Sequence, residues 1–410
     1  MSQASRRVVV IGGGITGTLV AYSLRRAGWD VALLEASHVG AGSSSRTAAG
    51  IRQQFSTRET VLGMQYSVQF YSRWLEEVGG SVSPILQNGY LFLFDDEQAF
   101  QGARTRTVSQ QSWGLVEVEA LDRAQLNERF PYVDTETIVG GTWCPTDGFL
   151  RPEAIYNDAA AALRAAGGEI HQGARVLAAR HENGQLAAVQ STKGWHEGDL
   201  FVDCTNAWTR SLSPLIGAHD LPVAALKRYL WFIDRGGAWS TEGMDSMPLV
   251  VAPSGAYCRP ENPQSMLVGW AHSANDEAPG FSPEDQDTIE PDFFHRSGTD
   301  ARPYEAWLEL AQCIRPLGEF AGISSTTAGF YGSTPDHNPF LDFDSKLPNL
   351  MRLVGFSGHG AMFGPFTAAV AVALAEAGRR LDSVEIATGR ADLKAFHLDR
   401  DFENHEQMVI

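Results

Sequence analysis

The string Val8-Val9-Val10-Ile11 is an unbroken β-branched run, the pattern of a strand covered on both faces in a parallel sheet. A helical spacing follows, carried by Leu19, Tyr22 and Leu24 and stopped by Gly28; residues 31–34 form a second apolar run. Ser56 and Glu59 have the spacing of a capping box, with Ser56 as N-cap and Glu59 at the third position. Behind them Val61, Met64, Val68, Tyr71, Leu75 and Val78 recur every three or four residues, which predicts an amphipathic helix ended by Gly79-Gly80. Residues 89–94 read as a strand and 116–131 as a helical excursion. Pro152 suits the first position of a helix marked by Ile155, Ala159 and Leu163 and ended by Gly167-Gly168. Residues 229–233, 248–252 and 266–270 are three strand candidates with no helix between them, as in an antiparallel sheet. Residues 275–300 are acidic and rich in Pro, Gly and Ser, which suggests a surface excursion. A last strand, 350–354, precedes a helix from about 361 to 377. Its longest apolar stretch, 366–377, falls short of the ~20 residues a membrane span needs.

Between the first strand and helix lies Gly12-Gly13-Gly14-Ile15-Thr16-Gly17, in which Gly12, Gly14 and Gly17 are the glycines of a GxGxxG turn. In that motif the first glycine permits the tight turn, the second lets backbone approach a pyrophosphate, and the third lets the helix pack on the strand. Helix N–H groups, including those of Ile15 and Thr16, then face the phosphates. Glu35 ends the second strand 18 residues beyond Gly17, where a carboxylate accepts from ribose hydroxyls. Strand, helix, strand and acidic terminus together indicate dinucleotide binding, and Glu35 would repel the 2′-phosphate of NADP.

After Glu35 and Ala36 comes a loop of small and hydroxyl residues, including Gly42, Ser43, Ser44, Ser45 and Arg46, where a nicotinamide domain would return to another strand and helix. With the glycines and Glu35 it resembles the FAD-dependent amine and amino-acid oxidase family of D-amino-acid oxidase, glycine oxidase and sarcosine oxidase. The resemblance recurs in order along the chain. Arg175-Val176 resembles the segment that lays a valine on adenine. Thr205-Asn206-Ala207-Trp208 resembles a turn near the flavin, and Tyr257-Cys258-Arg259-Pro260-Glu261 a family strand. Thr334-Pro335-Asp336 precedes Gly355-Phe356-Ser357-Gly358-His359-Gly360, the strongest of these signatures. The helix that this last turn opens, at Gly360, Ala361 and Met362, would bring its positive end to the flavin. His359 is either part of that site or a support for the turn.

The resemblance implies FAD and a mixed α/β (α+β) fold. In it a Rossmann-like FAD-binding domain (1–85, 145–220 and 325–410) is interleaved with a mixed antiparallel-sheet substrate domain (86–144 and 221–324). It implies oxidation of an amine bearing a carboxylate, with hydride passing to flavin N5. Arg52 occupies the place of a substrate-carboxylate arginine; its alternative is a structural ion pair. Tyr257, Arg259 and Tyr331 are further candidates that also suit sheet support. The cysteine that binds flavin covalently in sarcosine oxidases falls at Gly329, and the loop of the histidine-linked relatives reads Ser43-Ser44-Ser45, so noncovalent FAD is expected. Lysines that assist oxygen reaction fall at Leu267 and Met362, which leaves room for a dehydrogenase. Two other readings remain: an electron-transferring subunit that needs a partner chain, and an NAD-dependent dehydrogenase.

Composition narrows the setting. Lys plus Arg is 32 against 49 Asp plus Glu, a formal charge of −17 that disfavours nucleic acid or anionic membrane as partner. Cys144, Cys204, Cys258 and Cys313 are scattered, with no metal-ligand or dithiol spacing. A short polar start with no signal peptide completes the expectation of a soluble cytoplasmic protein whose partners are a small amine or amino acid and an electron acceptor, oxygen or another.

Overall fold

The computed structural model describes residues 6–234, 246–270, 289, 302–320, 322–403 and 405–408. Strand Arg7–Ile11 is central to a six-stranded sheet, with Asp30–Glu35 on one side and Leu200–Asp203 on the other, both parallel to it. Glu169–Gln172 extends one edge and Leu350–Val354 the other; Phe340–Phe343 closes the latter edge antiparallel. Val8, Val9 and Val10 are fully buried, as an apolar run covered on both faces requires. Helix Ile15–Arg26 crosses one face, with Arg25 and Arg26 in its last turn, where cations complement the helix dipole. Helix Gly360–Ala377 packs against it and against helix Arg58–Ser72. With 18 residues it is long and apolar enough to cross a membrane by length and composition, because it starts at Gly360, ahead of the apolar stretch; most of it is buried in the core here.

An eight-stranded sheet forms the second layer, running Gly322–Ser333, Ala224–Asp234, Ser265–Trp270, Ala256–Asn262, Leu249–Val251, Tyr90–Phe94, Gly140–Cys144, Glu119–Asp122. Its pairings are antiparallel except that Leu249–Val251 runs parallel to Tyr90–Phe94. Alternation along the strands gives it two faces. Leu91, Leu93, Val250, Cys258 and Val268 share a cluster with Ala306 and Leu310 of helix Arg302–Cys313. Tyr90, Phe92, Leu249, Val251, Tyr257 and Leu267 form a cluster on the other face. A small sheet of Gly50–Ile51, Gly148–Leu150 and Ile85–Leu86 lies at the sequence crossings between these layers.

Several elements differ from the sequence expectations. The N-cap of helix Arg58–Ser72 is Thr57, whose hydroxyl accepts from Thr60 N; Ser56 is bonded elsewhere, so the predicted box does not form. That helix breaks at Arg73 and resumes as Trp74–Glu77. The excursion 116–131 is strand Glu119–Asp122 followed by helix Arg123–Arg129. Helix Glu97–Ser112 was not expected: it buries only Phe100, Ala103, Thr107 and Gln110 and so shows no apolar stripe. Strand Gly322–Ser333 lies wholly in the eight-stranded sheet, so by sheet membership the last crossover comes after 333, not 325. Apart from Ile289, the acidic stretch 275–300 lies outside the described residues.

Candidate active site

The turn after the first strand is built around glycine. Gly12 has φ +107°, and a Cβ there would stand 2.7 Å from the Cys204 carbonyl. A Cβ on Gly17 would collide with the Gly12 carbonyl, so the helix can lie this close only without one. Glu35 is fixed by two backbone donors, Gly13 N at 2.7 Å and Ser37 N at 2.8 Å. Ser44 Oγ accepts from Ile15 N at 3.0 Å, at the open end of the helix. Ser43 Oγ donates to the Phe330 carbonyl at 2.6 Å and accepts from Phe330 N at 3.2 Å, which ties the hydroxyl loop to the eight-stranded sheet.

These groups line a cleft of about 630 Å³ between the layers, within the size range of cofactor sites. Gly12, Gly14, Ile15, Thr16, Glu35, Ala36, Gly42, Ser43, Ser44 and Arg46 line its first part. Val176, Thr205, Asn206 and Trp208 line the middle, and Tyr331, Gly358, Gly360 and Ala361 the far end. Five of the expected cofactor residues do not reach it: Gly17, Ser45, Gly355, His359 and Met362. Met362 is packed in the core, Ser45 donates back to the Gly42 carbonyl, and His359 turns toward Arg52. Ser211, Leu212 and Leu215 also line the cleft. They belong to helix Thr209–Ile216 directly after the Trp208 motif, and the three-residue spacing of Leu212 and Leu215 is the signal that could have found them.

Two turns beside the cleft are bound directly to each other. Asn206, with φ +49°, accepts through Oδ1 from Gly355 N at 2.9 Å and Phe356 N at 3.2 Å. Gly358 has φ +90° with the Tyr331 ring against it, so only glycine fits. Beneath them Arg352, fully buried, donates to Asp203, Asp344, Thr209, Ser213 and the His219 carbonyl, a satisfied network that fixes the strands carrying both turns.

Beyond the far end of the cleft lies Arg52, 1% exposed. Its Nη1 donates to the Gln54 carbonyl at 2.6 Å, and its Nη2 to His359 Nε2 at 3.3 Å and to the Met408 carbonyl. Because arginine only donates, His359 must accept through Nε2. Burial, then Arg52 and His337, hold the His359 pKa well below its ordinary value, so this imidazole is neutral. The guanidinium carbon is 4.0 Å from the Phe55 ring centroid, 5.5 Å from Phe92 and 6.0 Å from Tyr90. Its Nε has no hydrogen-bond partner, and among the described residues no carboxylate stands within ion-pair distance. Among the described residues the predicted alternative, a structural ion pair, is not formed.

The other candidates divide. Tyr257 and Tyr331 are hydrogen-bonded to each other, both are raised in pKa first by burial, and Tyr331 lines the cleft. Arg259 is engaged elsewhere: it pairs with Glu261 at 2.7 Å, donates to the Ala48 and Pro260 carbonyls and lies over the Phe149 ring. That is a support for the sheet and the loop at Ala48. Leu267 is buried on the Tyr90 face. Gly329 lines the cleft, and a Cβ there would stand 2.8 Å from the Arg46 carbonyl. The cluster of Asp342, His397 and Asp399 is an ion-pair site, since Arg380 bonds both carboxylates.

A family model described as DAO, FAD dependent oxidoreductase, matches residues 7–374. The Bos taurus protein named FAD-dependent oxidoreductase domain-containing protein 1 is 28% identical over 412 residues, covering 90% of this chain and 80% of the relative. Mitochondrial sarcosine dehydrogenase of Homo sapiens is 26% identical across 88% of this chain, which spans only 38% of that longer protein. Among solved structures, L-proline dehydrogenase from P. horikoshii superposes with a TM-score of 0.79 at 25% identity, covering 92% of this chain and 94% of that one. Glycine oxidase from Geobacillus kaustophilus gives 0.77 at 19% identity, with 97% and 99% covered, a likeness of fold alone.

Proposed function

This chain belongs to the family of FAD-dependent oxidoreductases, and on that premise we propose that it oxidises the C–N bond of an amino acid or N-substituted amino acid to an imine, with Arg52 holding the substrate carboxylate. The family membership displaces the NAD-dependent reading. The observation that carries the substrate assignment is Arg52 itself, a buried cation with no carboxylate partner among the described residues. Such a charge is costly to bury unless an anion completes it.

The cleft suits the cofactor. Gly12 to Thr16 and Glu35 would hold the pyrophosphate and ribose, Val176 the adenine, and the N-terminus of helix Gly360–Ala377 the flavin ring. When bound, FAD takes up the hydride from the carbon beside the substrate nitrogen. The chain's own residues bind and orient. Phe55, Tyr90 and Phe92 surround the guanidinium and exclude water; the two phenylalanines take none of its N–H donors, while the Tyr90 hydroxyl is hydrogen-bonded to it. His359 receives one N–H while adding no charge, so the carboxylate meets a full cation. Tyr331, which lines the cleft and interacts electrostatically with Arg52, links this seat to the cleft, with Tyr257 hydrogen-bonded to it. Noncovalent FAD is supported by Gly329, where no side chain fits. Leu267 supplies no ammonium to stabilise superoxide, which favours an acceptor other than oxygen. Met362 bears less on this point, since it lies in the core away from the cleft.

Arg52→Ala tests the assignment. Losing a desolvated charge-assisted contact costs ~2–5 kcal/mol, so KM for an active substrate should rise at least about 30-fold while FAD stays bound, and Arg52→Lys should recover part of it. An unchanged KM removes Arg52 from the substrate site. Loss of FAD would place it in the cofactor site instead.

A further inference from the structure

Two arginines converge on one methionine. Glu406 is buried, and its carboxylate accepts from Ser56 N at 2.9 Å, Ser56 Oγ at 2.6 Å and Met408 N at 2.9 Å. Glu406 N donates to the Asp336 carbonyl at 3.0 Å, and Gln407 N donates to Ser56 Oγ at 3.0 Å. The segment so latched carries Met408 onto the Tyr90–Phe92 face. There its carbonyl accepts from Arg52 Nη2, and its Sδ stands 3.1 Å from Arg106 Nη1. Arg106 projects from helix Glu97–Ser112. Among the described residues it, like Arg52, has no carboxylate within ion-pair distance. Burial lowers the pKa of both, and Glu406 is an acidic group that faces both from the strap itself.

A peptide carbonyl and a thioether are weak partners for one fully buried guanidinium, Arg52, and one half-buried guanidinium, Arg106. Met408 therefore marks two anion positions, separated by the length of a methionine side chain. From its carbonyl carbon to its sulfur the spacing matches that between the terminal carbons of a five-carbon diacid. We propose that the substrate is a dicarboxylic amino or imino acid that displaces Met408, with its α-carboxylate on Arg52 and its second carboxylate on Arg106. This rests on the reading of Arg52 as the carboxylate seat. Displacement also withdraws Glu406, so the second carboxylate replaces the strap's own negative charge beside Arg106.

The test uses FAD-loaded protein and two probes of equal chain length, glutarate and pentanoate. Binding is followed by the perturbed visible absorbance of the flavin, and the strap by hydrogen exchange of peptides spanning 403–408. Glutarate should bind about tenfold or more tightly than pentanoate, the low end for one charge-assisted contact. It should also raise exchange in the strap of the wild-type protein, which needs no variant to fold. Arg106→Gln should bring glutarate down to the level of pentanoate and leave pentanoate unchanged, whereas Arg52→Ala should weaken both. Equal affinities, an Arg106→Gln variant that binds glutarate as before, or strap exchange that stays level or falls would each overturn the proposal. If both probes still depend on Arg52, the reading of Arg52 survives that failure. If neither does, that reading fails as well.

Discussion

Asp147 is fully buried behind Arg52 and accepts from Gln53 N at 2.8 Å, Gln53 Nε2 at 2.9 Å and Gln54 Nε2 at 3.1 Å. Burial outweighs these donors and pushes its pKa up to about 6. The folded value lies above the unfolded one, so the folded chain binds the extra proton. The resulting stability is present below pH ~4 and is lost as pH rises through about 6. The loss is on the order of 3 kcal/mol. Urea unfolding from pH 4 to 7.5 should show the wild type losing stability relative to Asp147→Asn across that window; parallel curves would contradict it. Gly329 gives a second outcome at this scale. Acid precipitation of the wild type should release yellow FAD into the supernatant. Gly329→Cys should lower FAD occupancy without creating a covalent link, because its Cβ meets the Arg46 carbonyl at 2.8 Å. Flavin retained on either precipitated protein would refute this.

The elements show what a local reading can see. The strand, glycine turn, helix and second strand from Arg7 to Glu35 were legible because each is held by neighbours in sequence. The start of helix Arg58–Ser72 was not. Ser56 and Thr57 both offer hydroxyls, but Ser56 is taken by Glu406, 350 positions away, and no local pattern reports that. Thr57→Ala should therefore destabilise the fold by about 1 kcal/mol through loss of the cap, measurable by denaturant unfolding. If it leaves stability unchanged, Thr57 is not the working cap. Helix Glu97–Ser112, the bearer of Arg106, escaped because its buried side includes Thr107 and Gln110 and so lacks apolar periodicity. Gln110 Nε2 instead donates to the Phe55 carbonyl at 2.8 Å, a tertiary bond invisible in sequence.

At the scale of the whole molecule the site is a product of two layers meeting. The six-stranded sheet brings its glycine turns to one side of the cleft, and the eight-stranded sheet supplies Gly329, Phe330 and Tyr331 to the other. Motifs marked most of the cofactor half, because dinucleotide contacts use short runs of consecutive residues. The proposed substrate half is assembled from residues scattered along the chain, Arg52, Tyr90, Tyr257, His359 and Met408, and only their positions in space reveal a guanidinium with no carboxylate partner among the described residues. In the proposed function this guanidinium presents an amino or imino acid to FAD. Its most direct test is anaerobic mixing of the FAD-loaded protein with amino acids and secondary amino acids, followed at the flavin absorbance band. A substrate that carries a carboxylate should bleach the flavin, whereas the same amine lacking it, or the same substrate with Arg52→Ala at the same concentration, should not. Equal bleaching by the decarboxylated amine, or by an Arg52→Ala variant that retains FAD, would contradict it.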